Sequence, residues 1–354
     1  MSEVLQWYAG KTVLVTGGAG AIGSNLVKAL VTTAKLVIVL DDFSSGYRWN
    51  LPRAKNLLVS HGSILDEVML KRVFFEKPEV VFHLAAFFAN QNSVDHPESD
   101  LDVNGMGTLR MLEYSTMCGV DRFVYASSGS SIYGSLPKAD PLSRLPLQEN
   151  DISLKLSTPY QCTKMLGELY CNFFLNHYGL KTSSARFSNS YGRGEVPGQY
   201  RNVIPNFVWW AMQGRPLPIT GDGGETRDFT YVGDVIDGLL AMGSSDGAVG
   251  DAFNLATGRE IAIGKMAETI NTLCGNTAGI QYTAARKWDT KRRVWADVSR
   301  ARERFGYSPD TPFQDGLDAV VRWFKDNHAD IAAAASFGPG VSSAVRGMEQ
   351  EGGQ

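Results

Sequence analysis

The sequence predicts an α/β fold with a doubly wound parallel sheet, followed by a smaller α/β lobe. Short apolar runs rich in β-branched residues recur, with enough residues between them for helices. A glycine-rich turn joins the first run to a helical stretch, and beyond about Arg186 the alternation becomes irregular, with Gly- and Pro-rich turns. Because alternating strands and helices form parallel sheets covered on both faces, the first half of the chain is predicted to be of the Rossmann type.

The first apolar run, residues 11–16, is predicted to be a strand that leads through residues 17–23 into a helix over 24–32. Gly17, Gly20 and Gly23 have the spacing at which one glycine makes the sharp turn and one lets the backbone approach a pyrophosphate. The third lets the helix pack close to its strand. Phosphates would then lie at the helix N-terminus, where unpaired N–H groups favour negative charge. The loop therefore predicts a nucleotide site.

The second apolar run, residues 36–40, ends in Asp41 and Asp42. An acid at this distance from the glycine loop binds the free 2′ and 3′ hydroxyls of a ribose and repels a 2′-phosphate. NAD is therefore expected rather than NADP. Together, the two runs and the loop predict nucleotide contacts from Gly17, Gly20, Gly23 and Asp41.

Further strands are predicted at residues 80–84 and 122–126, which gives a provisional division of the chain. We expect residues 1–185 to form the nucleotide-binding domain, with 228–255 returning to it. Residues 186–227 and 256–330 are expected to form the smaller lobe, which binds the substrate. Residues 331–354 turn to Ala, Gly and Ser with little apolar periodicity, so a disordered tail is expected there.

The composition makes some classes of partner and site unexpected, but it does not identify the function. The chain has 354 residues, 44% hydrophobic and 20% charged, with a net charge of −3, which gives no reason to expect nucleic acid or an anionic membrane as a partner. The four cysteines show no metal-ligand spacing, so no metal site is expected. The chain shows neither a signal segment nor an apolar run near the ~20 residues that span a bilayer, so a cytoplasmic location is expected.

Tyr160 and Lys164 form the candidate catalytic pair. Four residues apart on a helix, their side chains share one face, so an ammonium can stand beside a phenol. A neighbouring positive charge is expected to lower the pKa of the phenol toward the range in which it serves as a base. Such pairs are common on helix surfaces, and the glycine loop upstream is what favours a catalytic one here.

Several ordered motifs carry a resemblance to a known family. They are Thr16-Gly-Gly-Ala-Gly-Ala-Ile-Gly23 with Asp41, His83-Leu-Ala-Ala86, the serine-rich run 127–134, Tyr160 with Lys164, residues 186–192, 221–232 and 253–255. In this order they resemble the extended short-chain dehydrogenase/reductase family, and in particular its nucleotide-sugar epimerase/dehydratase branch, the UDP-glucose 4-epimerase-like group. The resemblance covers roughly residues 10–328.

The resemblance implies roles residue by residue. It implies a base at Tyr160, with Lys164 bonding the nicotinamide ribose, and tightly bound NAD that is regenerated in each cycle. It implies further cofactor contacts from Ala21, Ile22, Asp42, Ser63, Ile64, Leu84, Ala85, Ala86, Asn104 and Ser127. It implies substrate contacts from Phe88, Ser128, Asn189, Asn202, Arg227, Arg286 and Asp289. A homodimer is also implied, with residues 109–114 and 166–174 as candidate interface helices.

The serine-rich run departs from the family pattern. The family usually places a hydroxyl for the sugar O4 where this chain has Gly129, so the role falls to Ser128 first and Ser130 second. Dehydratases of the family carry an Asp-Glu pair where this chain has Ser130 and Ser131, and the elimination of water needs that acid and base. Ser63 stands where the family usually has an aspartate that touches the adenine.

These observations predict an NAD-dependent nucleotide-sugar epimerase, most simply one that inverts C4 of a UDP-hexose through a transient 4-keto sugar. Two alternatives stay open. One is another nucleotide-sugar enzyme of the same family, namely a 4,6-dehydratase, a decarboxylase or a reductase. The other is a non-catalytic NAD-binding protein, because a fold does not fix a function.

Overall fold

The computed structural model describes residues 3–134, 144–284 and 292–337, except for the side chain of Ser130. The strands, in chain order, are β1 Thr12–Thr16, β2 Leu36–Asp41, β3 Leu57–His61, β4 Val80–His83, β5 Arg122–Ser128, β6 Thr182–Phe187, β7 Asn189–Tyr191, β8 Leu217–Thr220, β9 Thr226–Arg227, β10 Phe229–Tyr231, β11 Ala252–Leu255, β12 Ile261–Ala262 and β13 Ile280–Thr283.

The α-helices lie between these strands and after them. In chain order they are α1 Glu3–Trp7, α2 Ala21–Leu30, α3 Glu67–Phe75, α4 Asn90–Asp95, α5 Pro97–Asp100, α6 Thr108–Met117, α7 Gly129–Ile132, α8 Pro159–Tyr178, α9 Val203–Met212, α10 Val232–Ser244, α11 Ile263–Cys274, α12 Ser299–Phe305, α13 Phe313–Asp326 and α14 His328–Ala334. A π-helical segment, Leu101–Gly107, leads into α6.

Within the described residues, seven strands form one sheet in the order β11-β6-β5-β4-β1-β2-β3, and every neighbouring pair is parallel. The order reverses direction at β1 and β4, so the loops after these two strands open a crevice at the carboxyl edge of the sheet. The predicted fold class, a doubly wound parallel sheet of the Rossmann type, is confirmed.

Alternation along each strand divides the core between the two faces of the sheet. Val13 and Val15 pack with apolar residues of α2 and α10 on one face. Leu14 packs with residues of α3, α6 and α8 on the other. Because successive side chains of a strand point to opposite faces, strands covered on both faces read as continuous apolar runs, which is how they appear in the sequence.

A second apolar cluster holds the smaller lobe together. It is built from α9, α11, α13 and α14 around the paired strands β8 and β13. The chain returns from this part to the main sheet at β11, which pairs with β6. The lobe is therefore assembled from segments on both sides of β11.

The segment 331–337 corrects the expectation of a disordered tail. Helix α14 reaches Ala334, Ile331 is fully buried in the second apolar cluster, and Phe337 packs at 5.7 Å between ring centroids against Trp210. The alanine-rich composition hid this, because a single isoleucine per turn suffices to anchor a short helix. Residues 338–354 lie outside the described residues.

None of the helices in the described ranges is both long and apolar enough to cross a bilayer. In the same ranges, no group of three or more His, Cys, Asp or Glu side chains is arranged to hold a metal ion.

Candidate active site

A cavity of about 600 Å³ opens at the carboxyl edge of the sheet. Both the main sheet and the smaller lobe contribute to its walls, as ligand sites in doubly wound folds usually require. The residues predicted from the sequence that line it are Gly17, Gly20, Ala21, Ile22, Gly23, Asp41, Asp42, Ser63, Ile64, Leu84, Ala85, Ala86, Phe88, Ser127, Ser128, Tyr160, Lys164, Asn189 and Asn202.

Two glycines of the loop, Gly17 and Gly23, are packed too closely to accept a side chain. Gly17 has φ of 66°, and a Cβ placed on it would lie 2.7 Å from the Ala85 nitrogen. A Cβ on Gly23 would lie 2.2 Å from the Gly17 oxygen. Gly20 caps α2 without a side-chain hydrogen bond, so the first-turn N–H groups of α2 remain available to an anion beside the loop. This geometry fits the pyrophosphate of a dinucleotide.

Asp41 closes the far wall of the nucleotide end. Its Oδ2 accepts a 2.8 Å hydrogen bond from the Ala19 N–H and its Oδ1 accepts one of 2.8 Å from the Phe43 N–H. Burial raises the pKa of Asp41, and these backbone bonds oppose that rise. The bonds hold the carboxylate at the cavity, where its remaining lone pairs suit ribose hydroxyls and a 2′-phosphate would be repelled.

Tyr160 and Lys164 lie at the inner end of the cavity, on the first two turns of α8. Thr158 caps this helix by accepting from the Gln161 N–H at 3.3 Å, and Pro159 is its first residue. Lys164 Nζ donates to the Ala126 carbonyl at 2.9 Å and lies 5.6 Å from the centroid of the Tyr160 ring. The helix thus places an ammonium and a phenol side by side, as the sequence spacing predicts.

The electrostatics of this pair differ from the expectation of a lowered tyrosine pKa. Burial raises the pKa of Tyr160 well above its usual range, and the Asp100 carboxylate raises it further. Burial lowers the pKa of Lys164 to about 8, opposed by Asp100. Desolvation of both groups therefore outweighs their mutual attraction in the polypeptide. The position of Tyr160 at the second residue of α8 favours the phenolate, because the N-terminal end of a helix is positive.

The side chains of the serine-rich run lie in different surroundings. Ser128 lines the cavity and accepts a 3.0 Å hydrogen bond from the Ser131 hydroxyl. The Ser127 hydroxyl points away, donating to Glu168 Oε1 at 2.5 Å. The side chain of Ser130 lies outside the described residues. Ser128 is thus a hydroxyl brought to the cavity wall beside Tyr160.

Asn189 and Asn202 bring the smaller lobe to the cavity. Asn189 Nδ2 donates to the Asp228 carbonyl at 3.3 Å, and Asn202 Nδ2 donates to Glu195 Oε1 at 2.8 Å. Glu195 is itself a buried lining residue, and burial raises its pKa to about 7 against the effect of Arg201. The smaller lobe therefore presents amides and a readily protonated acid to the ligand.

Some predicted contacts are not brought to the cavity wall. Asn104 lies behind it, where its amide bonds the Phe87 N–H at 2.9 Å and the Phe87 carbonyl at 3.1 Å, so it shapes the wall through Phe87. Arg227 is absent from the described lining and donates to the Thr226 carbonyl at 2.8 Å. Arg286 and Asp289 lie outside the described residues.

Other lining residues were not singled out by the sequence. They include the turn Ser44, Ser45 and Gly46 and the loop residues Arg193, Glu195 and Arg201. The first group directly follows Asp41, so the nucleotide motif could have indicated it. Arg193 and Glu195 follow the motif at 186–192 by one and three residues, but their side chains belong to no fixed pattern.

Comparison with known proteins shows the family to which the chain is related. Residues 13–256 match the NAD dependent epimerase/dehydratase family. A solved structure of the epimerase Mth375 from Methanothermobacter thermautotrophicus is 52% identical, with a TM-score of 0.91 over 95% of this chain and 98% of that one. The curated UDP-glucose 4-epimerase of Mycolicibacterium smegmatis is 36% identical over 88% of this chain and 98% of its own length.

A third comparison includes a ligand. The UDP-glucose 4-epimerase of Thermotoga maritima, solved with UDP-glucose, is 34% identical, with a TM-score of 0.83 over 90% of this chain and 99% of that one. Matching proteins also include decarboxylases and a 4,6-dehydratase, so membership by itself leaves the reaction open. The glycine loop, the pair on α8 and the extent of these matches lead to one conclusion: the chain belongs to the NAD-dependent epimerase/dehydratase family.

Proposed function

We propose that the chain is an NAD-dependent epimerase that inverts C4 of a UDP-hexose. The observation that carries the proposal is that Tyr160, Lys164 and Ser128 line the same cavity as the glycine loop and Asp41. A dinucleotide laid from Asp41 past Gly20 would bring its nicotinamide toward Tyr160. Bound NAD would accept and return a hydride at the sugar carbon.

The side chains would handle the proton and the position of the sugar. Tyr160, as phenolate, takes the proton of the sugar 4-hydroxyl and returns it after the sugar has turned. Ser128 holds the 4-oxygen, and Lys164 supplies the positive charge that favours the phenolate while it bonds the nicotinamide ribose. The amides of Asn189 and Asn202, which line the cavity, hold the diphosphate end. The family resemblance supports further substrate contacts from Arg227, Arg286 and Asp289, of which the two arginines suit the phosphates. Phe88, whose ring meets that of Tyr160 edge-on at 6.0 Å, contacts the sugar.

Epimerisation is favoured over elimination by the residues after Gly129. A 4,6-dehydratase needs an acid and a base beyond the tyrosine, and this chain offers Ser130 and Ser131 in their place. NAD would be regenerated in every cycle and stay bound. The contact of Arg201 Nη2 with the Ser45 carbonyl at 2.9 Å, which joins the two sides of the cavity, supports retention.

The test is to incubate the purified protein separately with UDP-glucose, UDP-N-acetylglucosamine and UDP-glucuronate and to resolve the products. We expect a mixture of C4 epimers of unchanged mass from at least one of them. Loss of water or of carbon dioxide from the sugar would instead indicate a dehydratase or a decarboxylase. If none of the three sugars gave a product, the result would favour a non-catalytic NAD-binding protein. Tyr160→Phe should abolish turnover yet retain NAD, whereas the exposed Tyr178→Phe on the same helix should leave both unchanged.

We also propose a homodimer formed through the π-helical segment, α6 and α8. Large apolar side chains are exposed on the outer face of these elements, namely Leu101, Met106, Met117, Leu169 and Phe173. Such a concentration marks an interaction surface. Light scattering should give twice the mass of the chain, and Leu169→Lys should reduce it toward one chain, whereas Leu154→Lys, at a still more exposed position, should not.

A further inference from the structure

Asp100 is a fully buried carboxylate with no role in the proposed reaction. It ends the short helix α5, directly before the π-helical segment. Its Oδ1 accepts from Asn104 Nδ2 at 2.7 Å, and its Oδ2 accepts from the Thr163 hydroxyl at 2.8 Å. A buried charge is costly unless it is bonded and paired, so its position requires an explanation.

The two bonds connect Asp100 to both sides of the catalytic region. Thr163 directly precedes Lys164 on α8, and its hydroxyl also lies 3.2 Å from the Tyr160 carbonyl. Asn104 in turn bonds the backbone of Phe87, which lines the cavity. Asp100 therefore joins the first turns of α8 to the cavity wall through one carboxylate.

The charge of Asp100 acts on Tyr160 and Lys164. Burial lowers the pKa of Lys164 and Asp100 opposes this; burial raises the pKa of Tyr160 and Asp100 adds to it. His83 on β4 is held neutral, because burial lowers its pKa to about 3. Glu168, farther along α8, is paired with Arg186. On α4, α5, the π-helical segment and the first turn of α8, the other ionisable groups are exposed to solvent: Asp95, His96, Glu98, Asp102 and Cys162. Two further groups are buried, Tyr125 on β5 and Cys171 farther along α8, and burial raises the pKa of both.

We propose that Asp100 is a positioning residue of the catalytic pair, whose buried carboxylate fixes α8 through Thr163 and supplies the negative charge that keeps Lys164 an ammonium. The inference rests on the proposed function in assigning Tyr160 and Lys164 to the reaction. It goes beyond that function because it names the residue whose charge raises the pKa of both groups. Asp100 touches neither reacting atom and acts through Thr163, Asn104 and Lys164.

Asp100→Asn tests the charge with little change in shape. The amide oxygen can still accept from Asn104, and the amide nitrogen can donate to the Thr163 hydroxyl, which can turn its own proton to the Tyr160 carbonyl. The substitution therefore removes the charge and keeps the bonds. Asp102→Asn, an acid-to-amide change at an exposed position two residues away, is the matched control.

Removing the charge should lower the pKa of both Tyr160 and Lys164, since Asp100 raises both. The acidic and the basic limb of the pH profile of kcat should then both move to lower pH, by about 0.5 pH unit or more. The direction is the same whether Tyr160 or Lys164 governs a given limb. The profile of Asp102→Asn should coincide with that of the wild type. A change in stability alone would lower the amount of active enzyme without moving either limb.

A second measurement is independent of the reaction. NMR of a lysine-labelled protein, with the Lys164 signal assigned by Lys164→Arg, should show this ammonium titrating near pH 8 in the wild type and at lower pH in Asp100→Asn. If no nucleotide sugar is turned over but this titration moves, the proposed function fails and the inference stands. If sugars are turned over but neither the titration nor the profile moves, the inference is overturned. Should Asp100→Asn not fold, Asp100→Ser removes the same charge and is judged by the same two readouts.

Discussion

Arg186 and Glu168 form a buried bidentate ion pair beneath the cavity. Arg186 Nε donates to Glu168 Oε1 at 2.9 Å and Nη2 donates to Oε2 at 2.7 Å, while the Ser127 hydroxyl shares Oε1. Glu168 lies one turn beyond Lys164 on α8, and Arg186 lies on β6. The pair therefore fixes the helix that bears the catalytic residues to the end of the sheet.

Breaking this pair should be costly. Glu168→Gln leaves the Arg186 guanidinium buried without a countercharge, so we expect a loss of about 3 kcal/mol in the free energy of unfolding. Denaturant unfolding measures it. Asp251→Asn, which removes the solvent-accessible pairs with Arg304 and Arg300, should cost less than about 1 kcal/mol. Equal losses at the two sites would show that burial does not govern the strength of the Glu168 pair.

The glycine loop should discriminate between two alanine substitutions. Gly23→Ala puts a Cβ 2.2 Å from the Gly17 oxygen, so helix and loop must separate, at a cost of at least about 2 kcal/mol. In Gly20→Ala the Cβ lies 3.3 Å from the same oxygen, with φ of −73°, so thermal unfolding should change little. A Gly20→Ala protein as unstable as Gly23→Ala would contradict this packing.

Glu195 should make the stability of the fold depend on pH. Its pKa rises from 4.5 to about 7 on folding, so the folded state holds the proton more tightly than the unfolded state. Stability should therefore fall as the pH rises from about 4.5 to about 7, by roughly 3 kcal/mol. The free energy of unfolding is measured against pH for the wild type and for Glu195→Gln, which cannot ionise, and the difference between the two curves isolates the contribution of Glu195. A difference that does not change with pH would contradict the prediction.

Ile331 should contribute as a core residue. Ile331→Ala opens a cavity at a fully buried side chain of the second apolar cluster, so a loss of about 2 to 4 kcal/mol is expected. The same substitution at the exposed Ile152 should change the free energy of unfolding by less than about 0.5 kcal/mol. Urea unfolding of both variants provides the comparison.

Local patterns were sufficient to predict the sheet and the nucleotide end of the site. Leu14 and Val15 read as one apolar run because both faces of their strand are covered. Gly23 is dictated by its contact with the Gly17 backbone, and Gly17 by the positive φ of the turn. The raised pKa of Tyr160 could not be predicted, because it depends on burial by distant elements and on Asp100. Glu195 escaped prediction because its raised pKa depends chiefly on burial in the folded protein, which no local pattern indicates.

The position of β11 at the edge of the sheet has a consequence during synthesis. The strand it pairs with, β6, is complete at Phe187, but β11 ends only at Leu255. Until those later residues leave the ribosome, β6 presents an open row of backbone donors and acceptors, which is the surface on which strands of other chains add. A nascent chain halted between these two strands therefore has an open sheet edge through which it can misassemble.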